Sequence, residues 1–150
     1  MKCLFCQFSK GIRKTHVNGF LFNPIHTTKN TMSFLSIDLP ESYGMHILII
    51  CKEHFEHLND IPRNVLQEMI DHIRLLCRAL TKKHQGFNIL LNEGKCAGQL
   101  ISHLHFHVIA RKKGDKINIE IWKRKRIAKK DFIRLSNDIN SLVSSCEKMI

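Results

Sequence analysis

His103-Leu104-His105-Phe106-His107-Val108-Ile109 places a histidine at every second position of an otherwise apolar run. Alternate side chains of a β-strand share a face, so the three imidazoles point one way and Leu104, Phe106 and Val108 the other. A lone histidine in an apolar strand is commonly a satisfied core residue. Three on one face are different, because each brings two ring nitrogens that need partners where Val or Ile would need none. The stretch therefore predicts a strand over about 102–110 that carries core on one side and a site on the other.

Working outward, residues 92–99 hold Gly94 and Gly98 and read as a flexible loop entering that strand, with residues 87–92 as another strand before it. Residues 45–51 form an Ile-rich run suited to a buried central strand, with His46 as its polar exception. A helix is expected between Asp60, as N-cap, and Gly86. Its apolar stripe is Val65, Leu66, Met69, Ile70, Ile73, Leu76, Cys77 and Leu80. Short strands are expected at 19–22 and 33–38 around a loop at 21–31, and an edge segment at 117–122. A second helix is expected over 131–149 along Phe132, Leu135, Ile139, Leu142 and Val143. The connections are too short for parallel crossovers, which predicts an α+β fold with an antiparallel sheet and two helices over one face.

The 150 residues suit one domain, with residues 1–32 as an N-terminal segment and 111–150 as a basic C-terminal segment and helix. No apolar stretch has membrane-spanning length and the start lacks a signal peptide's apolar core, so a soluble, cytoplasmic protein with reduced cysteines is expected. Of the formal net charge of +11, residues 111–150 carry +7, from twelve Lys and Arg against five Asp and Glu. Lys112-Lys113, Lys123-Arg124-Lys125-Arg126 and Lys129-Lys130 make a patch that either keeps the protein soluble or attracts polyanions.

Neutral imidazole is a competent nucleophile toward phosphorus once something positions it. His105, flanked by two others, is the natural nucleophile, and the Asn92 and Gln99 amides with the loop's N–H groups are candidates to cradle phosphate oxygens. Cys3 and Cys6 form a C-x2-C pair that is either half of a tetrahedral zinc site or two ordinary packed cysteines. His16, His26, His57, His72 and His84 have no comparable context and read as loop or helix-surface residues.

The chain resembles the histidine triad (HIT) family of nucleotide hydrolases and transferases. The likeness rests on the triad together with Gly44, His46, Lys52, His54, Phe87-Asn88-Ile89, Asn92-Glu93-Gly94, Ala97-Gly98-Gln99, Gly114-Asp115 and Trp122, in the family's order. It implies a HIT-like sheet of about five strands with two helices, dimerising into a larger sheet. It also implies attack by His105 on the α-phosphorus of a nucleotide, with a covalent nucleotidyl-histidine intermediate. His107 would contact the α-phosphate and leaving group, His103 and His46 would tune and orient, and Asn92, Gly98 and Gln99 would bind the nucleotide. Asn92 is similar to the Hint-type branch, which acts on adenosine 5′-phosphoramidates and related conjugates; the dinucleoside polyphosphate branch usually has glutamine there.

The resemblance further implies a structural zinc on Cys3, Cys6, His54 and His103, no catalytic metal, a purine nucleotide substrate and a homodimer. The position three before Pro40, where the family places the acidic ribose ligand, is Ile37 in this chain; Asp38 is the candidate instead. Leu100 replaces a small hydroxyl residue and Ala110 a common proline. Other readings are a nucleotide-binding or interaction module with little turnover, and a metalloenzyme using His103, His105 and His107 as ligands. Removal of adenylate from nucleic acid ranks last, since residues after His107 cannot build the zinc module such proteins add.

Overall fold

The computed structural model describes residues 3–40, 45–119 and 126–147, which divide between two compact units, Met1–Ile117 and Asn118–Ile150. The first unit contains α1 (Leu4–Ser9), β1 (Pro24–Thr27), β2 (Thr31–Leu35), β3 (His46–Cys51), α2 (Arg63–Leu80), β4 (Gly86–Leu91) and β5 (His105–Arg111). Its five strands form one sheet in the order β1-β2-β3-β5-β4, antiparallel at every pairing as expected.

β3 explains why the sheet has two cores. All six of its residues are buried, and their alternation sends Ile47, Ile49 and Cys51 to one face and Leu48 and Ile50 to the other. The first set packs with Leu104 and Val108 under Val65, Met69, Ile73 and Leu76 of α2. The second packs with Phe5 and Phe8 of α1 and with Met32 and Phe34 of β2. Each fully buried side chain of this size contributes roughly 1.5–3 kcal/mol, so the apolar pattern on both sides fixes the register of β3. That register, Leu48 opposite His107 and Ile50 opposite His105, is what sets the histidines against an apolar floor.

Several elements differ from the sequence expectation. The N-terminal segment forms α1, and the loop expected at 21–31 contains β1, an edge strand that accepts Pro24 because an edge position need not donate. Residues 19–22 reduce to an isolated bridge between Thr15 and Leu21. β5 begins at His105, so His103 precedes the strand. α2 starts at Arg63 with Pro62 at the cap position and no side-chain cap, while Asp60 closes a preceding 3-10 turn. It ends at Leu80, where the Thr81 hydroxyl and N–H both donate to the Cys77 carbonyl; Gly86 opens β4 instead. Residues 117–119 form no strand; Trp122 and Lys123 to Lys125 lie outside the described residues. In the second unit α3 (Lys129–Glu147) carries the expected stripe, with an Asp131–Arg134 ion pair at 3.3 Å on its first turn.

His72 and His84 are buried, not on the surface. His72 sits within the apolar stripe of α2, and its two ring nitrogens lie 2.7 Å from Thr31 Oγ1 and 2.9 Å from Ser33 Oγ. Burial pushes it down to about 4, with the neighbouring His26 adding to the shift and Glu68 opposing it. Between the unfolded value of 6.5 and about 4 the unfolded chain binds a proton that the folded chain refuses, so stability falls as pH drops through this window. The expected loss from His72 is on the order of 3 kcal/mol. In urea titrations between pH 7 and 4.5, the parent should converge on His72→Asn by that amount; parallel curves would show that the residue is not linked to pH.

Candidate active site

β5 and β3 are adjacent in the centre of the sheet, and their pairing brings four histidines together. The rings of His105 and His107 are 4.8 Å apart and those of His46 and His107 5.1 Å apart. Main-chain carbonyls, which only accept, fix which nitrogen carries the proton in each neutral ring. His105 Nδ1 donates to the His103 carbonyl at 2.7 Å, leaving Nε2 with a free lone pair. His46 Nδ1 donates to the Asp38 carbonyl at 2.6 Å, so its Nε2 accepts from His107 Nδ1 at 2.8 Å. Burial holds His105 below its usual value and pushes His107 down to about 4, with neighbouring imidazoles adding to both shifts. His105 is thus uncharged at neutral pH, as a nucleophile must be.

His105, His107 and His46 line a cavity of about 950 Å³ that also takes in Asp38, Asn92 and Gly98. Gly98 has φ of +86°, a left-handed conformation that favours glycine, and sits in ordinary contact range of the Asn92 amide. Gln99, expected to reach the nucleotide, braces the loop with one end of its amide: its Oε1 accepts from the Gly94 N–H at 2.8 Å, while its Nε2 is buried without a partner among the described residues. The N–H groups of Ala97, Gly98 and Gln99 are likewise used within the loop. Sequence reading offered these as a phosphate cradle; the tight turn takes them for itself.

His103 turns away from the cavity. Its Nε2 donates to the Cys51 carbonyl at 2.9 Å, and burial pushes the ring down to about 4. The bare Nδ1 faces Cys3 Sγ at 3.4 Å, Cys6 Sγ at 3.5 Å and His54 Nδ1 at 3.3 Å, with Cys6 Sγ 3.4 Å from His54 Nδ1. Zinc bonds of about 2.0–2.3 Å in a tetrahedron require edges of roughly 3.3–3.8 Å, and all four of these separations fall there. Two thiols and two imidazoles, all ligand atoms within 4.8 Å of one another, fit that ion. Both nitrogens of His103 are therefore engaged outside the triad, and the three histidines cannot chelate one ion jointly.

Sequence reasoning missed the cavity's aromatic end. Phe5 of α1 packs its ring 5.2 Å from His105 and 5.5 Å from Phe34, and Phe8 and His16 continue the wall. The signal available is the Phe5 and Phe8 spacing beside C-x2-C, which suits one face of a helical turn.

The HIT domain model matches residues 24–114. The adenosine 5′-monophosphoramidase HNT1 of Candida albicans is 34% identical over 116 residues, covering 73% of this chain and 70% of that protein. The crystal structure of a histidine triad nucleotide-binding protein from Candida albicans superposes with a TM-score of 0.78 at 25% identity, over 97% of this chain and 99% of that one. A Zn-bound histidine triad family protein from Mycobacterium smegmatis superposes with a TM-score of 0.67 at 27% identity, over 97% and 98% of the two chains. The chain belongs to the HIT family, and its five-stranded antiparallel sheet is that family's fold.

Proposed function

We propose that the protein is a nucleotide hydrolase that cleaves the bond between a nucleoside 5′-monophosphoryl group and its leaving group, on adenosine 5′-phosphoramidates or related conjugates. The observation that carries this reading is the bare Nε2 of neutral His105, aimed by a 2.7 Å bond from its other nitrogen to the His103 carbonyl and facing a cavity of nucleotide size. The phosphoramidase named among its relatives supports the substrate class.

In the first step the Nε2 lone pair bonds to the α-phosphorus while the bond to the leaving group breaks, and that group departs with the electron pair and takes up a proton. In the second, water attacks the phosphorus, the bond to Nε2 breaks, its electrons return to His105, and the nucleoside monophosphate is released with a proton. His107, held by His46, contacts the α-phosphate and leaving group. Asn92 contacts phosphate, Gly98 shapes the turn that lines the nucleotide beside it, Asp38 takes the ribose hydroxyls, and Gln99 holds the loop closed through its Oε1. Both steps use imidazole and water, and no catalytic metal is assigned.

Cys3, Cys6, His54 and His103 hold a zinc ion whose part is structural: it ties α1, and with it the Phe5 wall, to the segment that enters β5. The substrate is a purine nucleotide, residues 1–150 act as one domain, and the working form is a cytoplasmic homodimer. Among the described residues no helix is long and apolar enough to cross a membrane.

The test is to mix the protein with an adenosine 5′-phosphoramidate, quench early and look by mass spectrometry for AMP on the peptide containing His105. An adduct that forms and decays at the turnover rate is expected. Folded protein giving neither adduct nor AMP with several nucleotide conjugates would replace this reading with a binding module.

A further inference from the structure

The end of the cavity remote from His107 contains a polar side chain that the hydrolytic scheme leaves without a task. His16 lines that cavity beside Phe8, Phe34 and Val17, its ring 5.2 Å from that of Phe8, 5.6 Å from Phe22 and 6.1 Å from Phe34. Neither ring nitrogen bonds another described residue. The phosphorus end and the His16 end are joined by ring contacts in sequence, His105 to Phe5, Phe5 to Phe34, and Phe34 to His16. A nucleotide laid along this wall has its phosphate at His105 and its base among the phenylalanines.

The segment around His16 is built to hold it there. The His16 N–H donates to the Phe20 carbonyl at 2.7 Å, the Phe22 N–H to Lys14 at 2.9 Å, and the Gly19 N–H to the His16 carbonyl at 3.1 Å. Thr15 and Leu21 bridge, Gly19 takes φ of +84° at the turn, and Phe22 stacks on Phe8 at 4.1 Å and 8°. The apolar tip residues Val17, Phe20 and Leu21 are nonetheless 65–78% exposed. A hairpin that leaves its greasy tip in water while turning its histidine inward is not arranged for core burial.

Stacking on phenylalanine accepts any base, because every base has a π-face; choice among bases requires a hydrogen-bonding group at the base edge. We infer that His16 is that group: it bonds the edge of the nucleobase and sets which base the site prefers. The inference rests on the proposed nucleotide substrate and adds its recognition element. Burial and the nearby Arg13 hold the ring below its usual value, and a neutral imidazole presents one donor and one acceptor, a pairing that base edges complement.

Two substitutions separate recognition from packing. His16→Phe keeps a ring against Phe8, Phe22 and Phe34 but removes the polar atoms; His16→Gln keeps a donor and an acceptor at similar reach but removes the ring. The kinetic constants for the 5′-phosphoramidates of adenosine, guanosine, cytidine and uridine are measured for all three proteins, with binding of the four monophosphates followed by calorimetry. In the parent a clear base preference is expected. In His16→Phe the ratio of best to worst base shrinks roughly ten-fold, through KM more than kcat, while His16→Gln retains most of it. The reverse order, with His16→Phe keeping the preference and His16→Gln weakening all four bases equally, would make His16 a packing residue and overturn the inference. So would a parent that binds the four monophosphates equally or not at all. Base-selective binding that depends on His16, without turnover of any conjugate, would keep the inference and overturn the hydrolase.

Discussion

Turnover by His105→Ala is expected to fall at least about a thousand-fold, because on the proposed mechanism the substitution removes the atom that bonds to phosphorus and leaves only binding and orientation. The fold should survive. His105 gives one hydrogen bond, to the His103 carbonyl, and its loss costs roughly 1 kcal/mol, while the packing that fixes β5 comes from Leu104 and Val108 on the opposite face. Single-turnover rates for a phosphoramidate, read beside a thermal unfolding curve, check both halves. Retention of a tenth of the parent rate by folded protein would remove His105 from the chemistry.

Cys6→Ser should produce the largest loss of stability, on the order of 4–5 kcal/mol, the range associated with losing a metal. Cys6 Sγ stands 3.4 Å from His54 and 3.5 Å from His103, so it shares edges with ligands from two other segments. Hydroxyl oxygen is a poor replacement for thiolate on zinc. The parent is expected to contain one zinc per chain by elemental analysis and to unfold at lower urea with chelator, while Cys6→Ser contains none and is indifferent to chelator. A parent that carries no metal and takes up no added zinc would leave the four residues as a packed cluster only.

What could be read from the chain depended on how local the cause was. The alternation through His105–Ile109 and the two-sided apolar character of β3 follow from the period of the strand alone, and they set the sheet and the shared face of His105 and His107, while His103, just ahead of the strand, turns to another site. The α2 stripe was legible for the same reason, since Val65, Met69, Ile73 and Leu76 repeat with the helix. His72 was misread because its partners, Thr31 and Ser33, lie 41 and 39 residues away, and nothing local says that a polar residue in an apolar stripe will be satisfied. The six residues of α1 are too few to show a period. The bracing role of Gln99 was not legible because a glutamine beside two glycines can close a turn, meet a ligand or do both, and only the folded loop shows its Oε1 on the Gly94 N–H. His16 reaches the cavity through a hairpin whose bonds connect residues 14 to 22, a geometry that composition does not encode.

The face of β5 that bears the imidazoles also has a consequence for how this protein can be improved. His107 Nε2 is buried without a hydrogen-bond partner among the described residues, and a polar atom in that state costs roughly 1–3 kcal/mol. Valine or leucine there would remove that cost but would also take away the N–H that His46 Nε2 accepts at 2.8 Å, exchanging one unpaired nitrogen for another. A campaign that selects for heat resistance alone can therefore gain at this strand only by replacing His46 and His107 together, and must screen for the proposed catalysis at every round to see what the pair contributes.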